Sequence, residues 1–124
     1  MKKIYLAIPY SGNEEKSYIL ATKITAILIA DNNLNVFSPI THSHPLTKVK
    51  GVEVPGDWEY WKEVDYSFID WSDEVYIVIP NGDFTQVLTS SGVVAEAKYA
   101  VTTDKPISFI SLEGSKVNLF KRIN

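Results

Sequence analysis

The chain has 124 residues, of which 45% are hydrophobic and 22% charged, with a formal net charge of -3. That length fits one domain able to bury its own core, so a single domain over residues 1–124 is expected. The slightly acidic balance offers no footprint for a nucleic-acid polymer, and the lack of Cys removes disulfides and thiolate metal sites, as suits a cytoplasmic setting.

Residues 3–9 read Lys-Ile-Tyr-Leu-Ala-Ile-Pro, a short apolar run closed by Pro9 and a Tyr-Ser-Gly turn, which predicts a buried first strand. It follows the N-terminal Met-Lys-Lys directly, and no apolar stretch reaches membrane-spanning length. Neither a signal peptide nor an anchor is therefore expected. From Asn13 the period becomes helical, with Leu20, Ile24, Ile27 and Leu28 on one face and Asn13 as the expected cap. Asp31-Asn32-Asn33 stops that helix. Residues 35–40 then form a second short strand that ends at Pro39.

Residues 41–56 are rich in turn formers and are expected to be a long functional loop. Asp57 is placed to cap a helix with Trp58, Trp61, Asp65, Phe68 and Ile69 on one face. Residues 74–80 form the clearest strand, apolar enough to be buried on both faces, and residues 83–89 read as another loop. A helix opening at Ser90 carries Val93, Ala97, Ala100 and Val101, and a fourth strand covers residues 106–112. The piece after Glu113-Gly114 has no assignable pattern. The β-α-β-α-β-α-β alternation predicts an α/β fold, Rossmann-like (flavodoxin-like), with three α/β/α layers and a parallel sheet of four to five strands. Ligands bind such sheets beyond the C-terminal strand ends, which selects residues 9–12, 39–56 and 81–96.

The stretch Ser90-Ser91-Gly92-Val93-Val94-Ala95-Glu96 places hydroxyls, a glycine and a carboxylate at a helix start, where unpaired N–H groups attract anionic ligand groups. Taken alone it also describes a capped core helix with Glu96 in water. Asp65 is a second candidate, because a carboxylate in an apolar stripe must be paired, hydrogen-bonded or protonated; at the stripe's edge it would simply reach solvent. Two such acids in one crevice suit cleavage of a glycosidic bond. His42 and His44 alternate along their loop, without an evident third metal ligand, and are expected to contact ligand or brace the loop. Trp58, Trp61 and Phe84 can stack on a base or pack as core. Neither G-x-G-x-x-G nor G-x-x-x-x-G-K-[ST] occurs, which disfavours dinucleotide and P-loop chemistry.

These residues fall into a pattern: Tyr5-Leu6-Ala7-x-Pro9-Tyr10-Ser11, then Phe37-Ser38-Pro39-Ile40-x-His42-Ser43-His44-Pro45, Gly56-Asp57-Trp58, Asp65, Ser72-Asp73-Glu74 and Ser90-x-Gly92-Val93-x-x-Glu96. The pattern resembles the DUF1937 family, within the nucleoside 2-deoxyribosyltransferase-like superfamily, over residues 4–106. The resemblance implies that Glu96 is the nucleophile attacking the anomeric carbon, six residues after Ser90. It implies that Tyr5 contacts that nucleophile, and that Asp65 binds the sugar and assists proton transfer. Ser90 and Ser11 would hold sugar or phosphate oxygens, and Gly92, Pro9, His42, His44 and Trp58 complete the expected substrate-binding set. The segment between Gly82 and Ser90 is longer than the family's G-W-x-x-S link, with Phe84 nearest to its Trp.

The expected activity is cleavage or transfer at the N-glycosidic bond of a (deoxy)nucleoside or its 5′-monophosphate, with no cofactor and no metal. The expected partner is that small molecule, with neither nucleic-acid polymer nor membrane, in a homo-oligomer. The alternative is a nucleotide-binding sensor that uses the same pocket without turnover.

Overall fold

The computed structural model describes residues 1–123. Five strands form one sheet in the order β2-β1-β3-β4-β5: β1 (Lys3–Ala7), β2 (Asn35–Phe37), β3 (Glu74–Val78), β4 (Ile107–Glu113) and β5 (Lys116–Ile123). The first four are parallel, with Tyr5 opposite both Phe37 and Val75, and Ile77 opposite Phe109. β5 returns antiparallel to β4 through a turn in which Gly114 takes φ 63. The C-terminal piece that lacked a sequence pattern is thus the outer strand. Its upper residues Leu119 and Phe120 are exposed, so no period-two burial marks it.

Helix α1 (Glu14–Asn32) covers one face of the sheet through Ala21, Ile24 and Leu28, which pack on Leu6, Ile8, Val78 and Ile110. Asn13 holds the N-cap position without a side-chain bond; the first turn is closed by Gly12 N–H donating to the Glu14 carboxylate at 2.8 Å, and Asn33 ends the helix in the left-handed region. Helices α3 (Trp58–Trp71) and α5 (Ser91–Thr102) cover the other face, where Ile69, Val93 and Ala100 meet Tyr5, Val75, Ile77 and Ile107. The result is the three-layer α/β/α arrangement, in which Ile40, shortly after the end of β2, packs against the same cluster as α1. No helix among the described residues is long and apolar enough to cross a membrane.

Two expected loops are partly helical. Residues 41–56 begin inside α2 (Pro39–Ser43), whose Ser38 cap accepts from Thr41 N–H at 3.3 Å, and continue in a 3-10 turn, His44–Lys48. Proline at the first position suits a helix start as well as a break, which is why Pro39 and Pro45 concealed these turns. Residues 83–89 contain α4 (Phe84–Thr89), where the Asp83 side chain accepts from Thr85 N–H at 3.0 Å and Val87 is buried. A helix this short shows no periodicity.

Candidate active site

The strand order reverses between β1 and β3, and there the loops diverge to opposite faces of the sheet, leaving a crevice beyond the strand ends. A cavity of about 240 Å³ occupies it. Its floor is Leu6, Ala7 and Ile8 at the end of β1. Tyr10 and Ser11 rise on one side, and Pro39, Ile40, Ser43 and Thr47 on another. Trp58, Trp61 and Asp65 come from α3, and Ser90, Ser91, Gly92, Val93 and Glu96 from the start of α5. The three segments selected by the strand-end rule therefore meet at one place.

Glu96 and Asp65 reach the cavity from neighbouring helices that lie on the same face of β1, and both are nearly buried, at 6% and 8% exposed. Their spacing along the helices explains this. Asp65 shares its face with buried Ile69, four residues on, and Glu96 shares its face with Val93 and Ala100. Beneath them Tyr5, fully buried in β1, donates its hydroxyl to the Glu96 carboxylate. Tyr5 does not line the cavity; it grips Glu96 from behind. Burial, then the charges of Glu96 and Asp65, push the Tyr5 hydroxyl well above its ordinary range, so it stays a neutral donor.

Burial pushes Glu96 up to about 8, with the neighbouring Asp65 charge adding to it and the Tyr5 hydroxyl opposing it. Burial also raises Asp65, to about 6, against the stabilising hydrogen bonds of Tyr5 and Glu96. Each carboxyl is harder to ionise beside the other, so the directions of the two shifts favour a singly protonated pair near neutrality. One group able to attack as an anion beside one able to give up a proton is the equipment for a displacement with a poor leaving group.

Ser90 caps α5, its Oγ accepting from Val93 N–H at 3.3 Å. Gly92 lies in the first turn of α5, and Ser11 projects from the loop after β1; both border the cavity, as does Trp58. Pro9 lines a second, smaller cavity of about 170 Å³ together with Tyr10, Ser11, Asn13, Gln86 and Ser90. His42 and His44, expected to contact ligand or brace the loop, line neither cavity. His42 is exposed with its ring 5.9 Å from Phe37. His44 is buried with both nitrogens engaged, by the Tyr10 hydroxyl and by Glu15. Phe84 packs edge-on against Phe109 at 5.3 Å, outside the cavity. Among the described residues no group of three His, Asp or Glu is arranged to hold a metal ion.

Sequence reasoning gave no individual role to Tyr10, Ser43 or Thr47, although all three fall in the segments selected at the strand ends. For Tyr10 the signal was present, since it follows Pro9 at the C-terminal end of the first strand. For Thr47 none was, because a 3-10 turn carries no legible facing pattern.

The central five-stranded sheet, parallel except for β5 and flanked by helices on both faces, matches the 2-deoxyribosyltransferase-like fold. A solved structure of 2-deoxyribosyltransferase from the psychrotolerant bacterium Bacillus psychrosaccharolyticus, described as a biocatalyst for synthesis of antiviral and antitumoral nucleosides, is similar to this chain. The identity is 28% and the TM-score 0.56, over 94% of this chain and 77% of that one. No match emerges among curated protein sequences. The chain belongs to the DUF1937 family, a domain of unknown function whose family model matches residues 2–112.

Proposed function

We propose that the protein cleaves or exchanges the N-glycosidic bond of a (deoxy)nucleoside or its 5′-monophosphate through a covalent glycosyl-Glu96 intermediate. The observation that carries this reading is the buried Glu96–Asp65 pair opening into one cavity, with the Tyr5 hydroxyl bonded to Glu96 from below. Similarity to a 2-deoxyribosyltransferase supports the substrate class.

In the reactive form the shared proton rests on Asp65 and Glu96 is the anion. A Glu96 oxygen attacks the anomeric carbon, the bond from that carbon to the base nitrogen breaks, and the departing base takes the proton from Asp65. Water or a second base then attacks the same carbon, giving up its proton to the Asp65 carboxylate as the bond to Glu96 breaks, which frees Glu96 as the anion and gives hydrolysis or transfer respectively. Tyr5 fixes the attacking oxygen, while Ser90 and Ser11 hold sugar or phosphate oxygens and Trp58 offers a face to the base. The chemistry as written uses no cofactor. The reading carries with it a homo-oligomer in a cytoplasmic setting.

The test is incubation with a panel of nucleosides and their 5′-monophosphates, with and without a second free base, followed by chromatography. Released or exchanged base is expected from the wild type, and a loss of at least about 10³-fold in turnover from Glu96→Ala, with binding kept. Normal turnover by that variant would sink the mechanism. Thermal stabilisation by a nucleotide with no base released would favour a sensor that uses the pocket without chemistry.

A further inference from the structure

Tyr10 borders both cavities, together with Ser11, Ser90 and Ser91, and is the largest side chain of the four. It stands on the loop joining β1 to α1, where Gly12 takes φ 89 and the backbone by itself does little to fix a ring. What holds it is a chain of side chains. The Tyr10 hydroxyl lies 2.7 Å from His44 Nδ1, and His44 Nε2 lies 2.9 Å from Glu15 Oε2. The Tyr18 ring stacks on the imidazole at 4.6 Å.

Chemistry gives these bonds a direction. An ionised carboxylate only accepts, so Nε2–H of His44 donates to Glu15; in the Nε2–H tautomer Nδ1 is an acceptor and the Tyr10 hydroxyl donates to it. His44 itself is 3% exposed and touches neither cavity. It also stands at the junction of α2 and the 3-10 turn, and Thr47 of the cavity wall donates to its carbonyl oxygen at 2.7 Å. One imidazole thus connects the loop after β1, the first turns of α1 and the wall that carries Ser43 and Thr47.

We propose that His44 is a positioning residue that acts through Tyr10, holding the wall shared by the two cavities and thereby setting ligand affinity. The affinity part rests on the nucleoside reading above; the positioning part does not. Asn at position 44 places an acceptor where Nδ1 stands, so it restores the Tyr10 bond that Ala removes.

Three measurements test this. With ¹⁵N-labelled histidine, NMR of the free protein should find His44 as the Nε2–H tautomer, with an Nδ1 resonance that moves in Tyr10→Phe. Hydrogen exchange at the amides of residues 11–13 should quicken about fivefold in His44→Ala and in Tyr10→Phe, but stay near wild type in His44→Asn. These two readouts need no ligand, so they decide the inference even where the nucleoside reading fails. With a nucleoside that is turned over, KM should rise about five- to tenfold in His44→Ala and in Tyr10→Phe, kcat changing less. The double variant should be no worse than either single one. Should His44→Ala fail to fold, Tyr10→Phe carries the same comparison by deleting one hydroxyl. Unchanged exchange in Tyr10→Phe, a protonated Nδ1 with Nε2 bare, or additive effects in the double variant would each overturn the proposal.

Discussion

At the scale of single residues, the arrangement turns on where one proton sits. On the mechanism proposed above, Glu96 attacks as an anion although its surroundings favour the neutral form, and Asp65 holds a proton although it is the easier of the two to ionise. That mechanism makes the singly protonated pair the active state: toward the acid side of about 6 both acids are protonated and the nucleophile is lost, and toward the basic side of about 8 both are ionised and the acid is lost. Activity as kcat/KM should therefore follow a bell between those limbs. A profile rising steadily through pH 9 would mean that no proton is needed from the pair, and would remove Asp65 as the acid.

At the scale of the element, α5 unites stability and function in its first turn. Ser90 ends α4 and opens α5 with the same extended backbone, and its Oγ satisfies one of the N–H groups that a helix start leaves free. Ser90→Ala should cost about 1 kcal/mol in denaturant-induced unfolding, and Ser90→Gly only a few tenths. Equal losses in the two variants would show that the cap contributes little. The small side chains there leave room as well, since a Cβ built on Gly92 meets nothing within 4 Å. In α3 the stripe bearing Trp58, Trp61 and Asp65 turns from solvent to core along its length, so the acid falls at the boundary between the two.

At the scale of the whole molecule, the sheet has two ends of opposite character. Away from the cavity, Glu74 is buried but paired, with Lys2 Nζ at 2.5 Å, Arg122 Nε at 3.6 Å and the Ser108 hydroxyl donating to it, which joins the chain start, β3, β4 and β5. At the cavity end the buried acids have no cation beside them. The linkage has a definite sign: with its pKa raised from 4.5 to about 8 in the folded protein, Glu96 binds more protons folded than unfolded across that window. Its contribution to stability is complete below the lower value and is lost as pH rises through the upper. Glu96→Gln cannot ionise, so its Tm should exceed the wild type's by several degrees more at pH 8.5 than at pH 5.5. The same difference at both pH values would show that Glu96 is not strained by ionisation.

The sequence alone determined the alternation of strands and helices, the short apolar strands closed by proline, and the presence of acids in otherwise apolar faces, because burial period and backbone chemistry are local. It indicated which loops would gather at the strand ends, since that follows from topology. Only the tertiary structure decided that α2 and α4 are helical, because short helices are stabilised by their caps and by the sheet beneath rather than by periodicity. It turned the unassigned tail into β5, whose place depends on a ladder to β4 formed across a tight turn. Of the two roles open to His44, ligand contact and loop bracing, it also chose the second, for a local pattern such as His-Ser-His carries no record of which distant hydroxyl and carboxylate will satisfy its ring. The nearness of Glu96 to Asp65, which raises the Glu96 carboxyl, likewise exists only once α3 and α5 lie side by side on one face of the sheet.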